Sequence, residues 1–231
     1  MSRTSTRART ARVFGAVAVT VSVLCLPVGH LAASADGCPD VEVVFARGTT
    51  EPPGVGGFGQ QFVDALRSRV EGKSLDVYAV NYPASTDFPT AADGVVDAST
   101  HIRGTAAACP NTEMVLGGYS QGAAVIGYVT APAIPAGFTA PGGITGPMPP
   151  EVANHVAAVA LLGKPSSKFL NAIGAPPIVI GPRYAGKTID LCAAGDPICS
   201  AGSTGDTNAA HLAYGVNGMP AQAADFAAQR L

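Results

Sequence analysis

The sequence predicts an α/β fold in which a mostly parallel five-stranded sheet is covered by helices on both faces. Two observations carry that expectation. Short apolar runs alternate with longer helix-prone stretches from Cys38 onward, and one run passes directly through Gly118-Tyr119-Ser120-Gln121-Gly122 into a helix-prone segment. Such alternation puts crossover helices on both faces of a parallel sheet, whose strands must then be apolar on both sides. There is no internal repeat and no low-complexity linker.

The elements follow in order. Val41 to Ala46 reads as a buried strand and Phe58 to Val70 as an amphipathic helix. Leu75 to Tyr82 is the second strand, Ala91 to Ala108 the second helix, and Met114 to Tyr119 the third strand, followed by a helix to about Val129. Val156 to Leu162 and Thr188 to Cys192 supply two more strands, and Ala221 to Leu231, bounded by Pro220, a closing helix.

Residues 1–35 read as a targeting segment that is removed. Arg3, Arg7, Arg9 and Arg12 form a basic start, Val13 to Leu26 an apolar centre, and Ala33-Ser34-Ala35 a small-x-small cleavage pattern. Leu24, bulky before Cys25, argues against lipid attachment there. The expectation is export and a single domain over 36–231, without a transmembrane segment. The remaining chain has ten Lys+Arg against sixteen Asp+Glu, a net charge of −6. That mild acidity, with no basic run interleaved with aromatics, argues against nucleic acid as a partner. Four cysteines remain, Cys38, Cys109, Cys192 and Cys199. An even number in an exported chain predicts two disulfides, with three connectivities open. No zinc-type Cys/His spacing and no H-E-x-x-H occurs, so neither metal nor cofactor is expected.

The Gly-x-Ser-x-Gly junction is a nucleophile elbow in this setting: the serine sits in a sharp strand-to-helix turn, beside the positive end of the helix dipole. A hydroxyl there needs a base. Of His101, His155 and His211, the first reads as lying on a solvated helix face and the second at the opposite end of the sheet. His211 follows the last strand and can fold back over Ser120. The acids between Ser120 and His211 are Glu151, Asp190, Asp196 and Asp206. Glu151 precedes a strand, and Asp190 lies within one. Position favours Asp196, at the carboxyl end of the fifth strand, over Asp206 in a polar loop. A Cys192–Cys199 pairing would close a short ring around Asp196.

These segments, with His211-Leu212-Ala213-Tyr214-Gly215 and Ala46-Arg47-Gly48-Thr49-Thr50-Glu51, occur in an order that resembles the cutinase family, most of all its actinobacterial members. The resemblance covers essentially the whole mature chain. It implies an α/β-hydrolase-type three-layer sandwich, with Ser120 as nucleophile, His211 as base and Asp196 as its partner. It also implies an oxyanion hole from Gln121 and Thr49, and the pairs Cys38–Cys109 and Cys192–Cys199. Thr49 stands where fungal members commonly carry serine, and its β-branch restricts the rotamer of its hydroxyl.

The implied function is a secreted serine esterase acting on carboxylic esters of short to medium acyl chains. Contact with cell-envelope lipid and a monomeric state are further expectations. An envelope-associated acyltransferase or a phospholipase would use the same three residues, and a catalytically silent binding protein is a third class. The Pro/Gly-rich stretch 131–150, with Ile134, Phe138, Ile144 and Met148, is expected either to wall or cover the acyl site or to be a surface loop. The apolar segment Phe169 to Ile180 is expected to line the same crevice. Gly54-Val55-Gly56-Gly57-Phe58-Gly59 formally matches a dinucleotide fingerprint, but Arg47 to Pro53 separate it from the strand, and the second strand ends in Asn81-Tyr82-Pro83 with no acid placed for a ribose. Those glycines read instead as a mobile lead-in to the first helix.

Overall fold

The computed structural model describes residues 1, 37–136, 142, 144, 146–200 and 209–231. The leader pattern, Phe138 and Asp206 lie outside the described residues. Five strands, β1 (Val41–Ala46), β2 (Leu75–Ala79), β3 (Glu113–Tyr119), β4 (Val156–Leu162) and β5 (Thr188–Leu191), form one sheet in the order β2-β1-β3-β4-β5. Every pairing is parallel. The helices are α1 (Gly56–Arg67), α2 (Ala91–Ala108), α3 (Gln121–Val129), α4 (Ser167–Ala172), α5 (Pro182–Ala185), α6 (Ala209–Leu212) and α7 (Met219–Ala228). Short 3₁₀ turns precede α2 and β4 and follow α6. Among the described residues no helix is long and apolar enough to cross a membrane.

Strand periodicity sorts the core into two layers. Val41, Val43 and Phe45 of β1 point to one face, where they join Phe62, Val63 and Leu66 of α1 and Ala223, Ala224 and Ala227 of α7. Val44 and Ala46 point to the other, against Val95, Ala98 and Ile102 of α2 and Val125, Ile126 and Val129 of α3. The result is a three-layer α/β/α sandwich. Alternation also sends Glu42 to the α2 face, almost completely buried. There its carboxylate meets His101 Nε2 at 2.8 Å and accepts Thr105 Oγ1 at 2.9 Å, while the Tyr78 ring stacks on the imidazole at 3.4 Å. His101 therefore does not lie on a freely solvated face. An acid buried by strand register requires a partner on the helix that covers it.

The boundaries differ from the expected ones where turn chemistry intervenes. α7 begins before Pro220 rather than after it, because a proline in the first turn removes only an N–H that has no intrahelical partner. Of the glycines that read as a mobile lead-in, Gly56, Gly57 and Gly59 belong to α1 itself, and the Glu51 carboxylate accepts the N–H of Gly57, as it does that of Gly48, at 2.7 Å.

Disulfides join Cys38 to Cys109, across 71 positions, and Cys192 to Cys199, across 7. The first ties the chain ahead of β1 to the end of α2; the second closes the loop after β5. Loop-closure entropy assigns about 4 kcal/mol to the long loop and about 2 kcal/mol to the short ring. Cys38→Ser/Cys109→Ser should therefore lower the denaturant-derived stability by about twice as much as Cys192→Ser/Cys199→Ser. A larger loss from the short ring would mean that local packing, not chain entropy, dominates.

Candidate active site

The strand order itself locates a crevice. The chain leaves β1 toward β2 on one side and returns to β3 on the other, so the loops after β1 and β3 diverge at the carboxyl ends of two adjacent strands. Ala46 of β1 pairs with Gly118 of β3, and Thr49 and Ser120 lie just beyond them. The elbow is tight. A Cβ on Gly122 would stand 1.9 Å from the Ala46 carbonyl oxygen, and one on Gly118 would stand 2.3 Å from that of Gly122. Only glycine fits at either position. Ser120 adopts φ 55° and ψ −116°, a region that costs a non-glycine residue on the order of 1–3 kcal/mol. Its N–H donates to Leu162 O at 2.8 Å, and its carbonyl accepts Ala124 N–H at 3.1 Å, which fixes the turn on both sides.

Ser120 Oγ lies 2.8 Å from His211 Nε2, and His211 Nδ1 lies 2.9 Å from both oxygens of Asp196. Because a carboxylate only accepts, Nδ1 carries the proton in this arrangement and the Nε2 lone pair faces the hydroxyl. Asp196 is completely buried and His211 is 4% exposed. Two further donors face the carboxylate: Ile198 N–H at 2.8 Å and Tyr214 Oη at 2.7 Å. Burial, reinforced by the Asp196 carboxylate, raises the Tyr214 phenol well above the usual tyrosine range, which keeps it a donor. Tyr119 Oη donates to the His211 carbonyl at 2.5 Å, and its ring lies beside the imidazole with centroids 5.2 Å apart.

The loop after β1 is braced through Arg47, whose buried guanidinium donates to Glu51 O at 2.9 Å, Tyr82 O at 2.6 Å and Pro83 O at 3.3 Å. Thr50 N–H donates to Ala84 O at 2.6 Å. Between these anchors Thr49 Oγ1 donates to Gln121 Oε1 at 3.3 Å, and Gln121 Nε2 donates to Ser85 O at 3.1 Å. Gln121 opens α3, where the first N–H groups have no intrahelical acceptor. Arg47 belongs to a segment singled out in the sequence, yet its bracing role depends on the carbonyls of Tyr82 and Pro83, beyond β2. Tyr214 likewise sits in the His211 motif, and nothing local reveals its reach to Asp196.

An apolar crevice of about 490 Å³ opens at Ser120. One wall comes from Phe88 to Ala92, the other from Pro165 to Pro176, and the Phe88 and Phe169 rings meet at 6.0 Å. Of the segment Phe169 to Ile180 expected to line it, residues up to Pro176 do so while Ile180 packs against the α2/α3 core, and nothing local in the sequence marks the Phe88 wall. None of the described residues of 131–150 lines this crevice. Met148 is buried in the α2/α3 core and Ile144 packs against it, so apolar burial draws them away from Ser120. His155 and Glu151 lie in the turn before β4, and Asp190 pairs with Lys164 at 3.2 Å. Cys192, Asp196 and Cys199 cluster closely enough to suggest a metal site, but both sulfurs are committed to their disulfide.

The Cutinase family profile matches residues 37–231. A probable carboxylesterase, Culp5, of Mycobacterium tuberculosis (strain ATCC 25618 / H37Rv) is 61% identical over 176 residues, covering 76% of this chain and 98% of the relative. The phospholipase Culp4 of the same organism is 50% identical over 216 residues, covering 94% and 89%. A Trichoderma reesei cutinase solved with a phosphonate inhibitor superposes with a TM-score of 0.63 at 30% identity, over 83% of this chain and 76% of that one.

Hydrogen bonds to a buried charge contribute about 1.5–3 kcal/mol, against about 0.5–1.5 kcal/mol for neutral pairs. Tyr214→Phe, which removes a donor from Asp196, should therefore destabilise the fold more than Tyr119→Phe, which removes a donor from a carbonyl. Denaturant titration of the two variants checks the order; equal losses would mean that the Tyr214 bond acts as a neutral one.

Proposed function

The chain belongs to the cutinase family, and on that premise we propose that it is an exported serine esterase acting on carboxylic esters of short to medium acyl chains. That it is a carboxylic ester hydrolase follows from its relatives; the mechanism, chain length and export are this proposal. The observation that carries it is the unbroken hydrogen-bonded line from Ser120 Oγ through His211 to buried Asp196, at 2.8 and 2.9 Å, at the mouth of an apolar crevice.

In the proposed reaction Ser120 Oγ attacks the ester carbonyl while His211 Nε2 takes its proton. Asp196 stabilises the imidazolium that forms. The oxyanion is received by the Gln121 N–H and by Thr49, each such donor being worth about 3 kcal/mol in the transition state. His211 then protonates the departing alcohol, water attacks the acyl-enzyme with His211 again as base, and Ser120 is released. The leader would direct export, leaving 36–231 as a single monomeric domain that meets its ester in solution or at the cell envelope. A phospholipase is the second reading, favoured by the 50% identity to a relative of that name.

Initial rates on p-nitrophenyl esters from acetyl to palmitoyl, beside an emulsified phospholipid, test the assignment. Ser120→Ala should lower kcat/KM by about 10⁴-fold or more with little change in stability. Substantial retained turnover would remove Ser120 from the reaction, and a preference for the phospholipid would select the second reading.

A further inference from the structure

The crevice has an internal scale. Its lining includes Gln121, Ala124 and Tyr128, spaced three and four residues apart on one face of α3. Ser120 caps that helix, so from Ser120 to Tyr128 the face advances about 12 Å at 1.5 Å per residue. The polar groups along it are already engaged. Gln121 bonds Ser85 and Thr49, and Tyr128 Oη donates to Pro176 O at 2.6 Å, with burial raising its phenol to about 12. Most of the remaining lining is apolar, so a hydrocarbon chain suits this space better than a sugar or headgroup, which would give up water for few partners. His211 does not line this space. Since the leaving alcohol must be protonated from His211, the slot belongs to the acyl side of the ester.

We propose that this face of α3 is the acyl-chain ruler of the enzyme, with Ala124 as its open midpoint and the Tyr128 ring as its end stop. The inference rests on the esterase reading and specifies its substrate. A zigzag chain of C–C bonds near 1.5 Å advances roughly 1.3 Å per carbon, so about 12 Å accommodates on the order of nine carbons before Tyr128. Ala124 lies about 6 Å along, level with roughly the fourth or fifth carbon. The Phe88 and Phe169 rings meet across the crevice and link its two walls.

The test uses p-nitrophenyl esters from acetyl to palmitoyl below their aggregation limits, with rates normalised to the serine titratable by a small organophosphate. In the wild type kcat/KM should rise about fourfold per carbon, equivalent to about 0.8 kcal/mol, and stop rising near C8 to C10. Ala124→Phe should bring the break back to about C4 and lower the octanoyl-to-butyryl ratio roughly 100-fold. Ala124→Val should move it in the same direction by a smaller step, and serves if the larger side chain does not fold. Tyr128→Ala should carry the break beyond C10. An octanoyl-to-butyryl ratio that stays within threefold of wild type in both Ala124 variants overturns the ruler. So does a Tyr128→Phe variant that shifts the break as far as Tyr128→Ala, because the bond to Pro176 rather than the ring would then set the length. A wild type that hydrolyses none of the esters overturns the esterase reading as well, and is recognised before any variant is compared.

Discussion

The site depends first on a buried negative charge. Asp196 has no solvent contact, and an uncompensated carboxylate in such a place would cost several kcal/mol. Three donors offset that cost: Ile198 N–H from the acid's own loop, and His211 Nδ1–H and Tyr214 O–H from the segment that follows. The Cys192–Cys199 ring keeps the carboxylate and Ile198 within one short loop. Tyr214 is packed in the core against α1 and α7, so the base loop is anchored through the same side chain that satisfies the acid. The orientation of His211 is thus a consequence of charge burial, and the imidazole has few other ways to lie.

A second constraint is steric. β1 and β3 are adjacent strands whose ends must separate to make room for a ligand, yet Gly122 approaches the Ala46 carbonyl too closely to carry a side chain. This contact sets the start of α3 directly against the end of β1. The loop carrying Thr49 is consequently brought to the first turn of α3 by the sheet itself. The strained serine at the corner is held by hydrogen bonds on both sides, to Leu162 and Ala124.

These constraints explain what could be read in the chain beforehand. The strands and the elbow were legible because their signals are local: apolar runs between turn residues, and glycines at positions that permit nothing else. The line from Ser120 to His211 and Asp196 was legible from chain order and from motifs lying at strand ends. Partnerships between distant segments were not. His101 read as a surface residue because nothing near it shows that Glu42, 59 positions earlier, is turned inward by strand register. The crevice wall from Phe88 to Ala92 has no periodicity to distinguish it from an ordinary loop. The stretch 131–150 carried apolar residues of the right kind, but Met148 and Ile144 had a core to join.

The two faces of the sheet divide the work in a way that follows from topology. Tyr214 and Ala193, which frame His211 and Asp196, pack into the layer formed with α1 and α7. Tyr128 and Ala91, which line the apolar crevice, pack into the layer formed with α2 and α3. The proposed proton-transfer line and the proposed acyl slot therefore rest on separate cores and meet at the β3–α3 corner, where Ser120 and Gln121 face both. Side chains on α3 can change in size without removing a donor from Asp196, because none of them bonds to that carboxylate; Ile198, which lines the crevice and donates its N–H to Asp196, is where slot and acid touch. An architecture of this kind lets substrate length be altered through α3 and the loops beside it while the charge buried on the opposite face keeps the histidine in place.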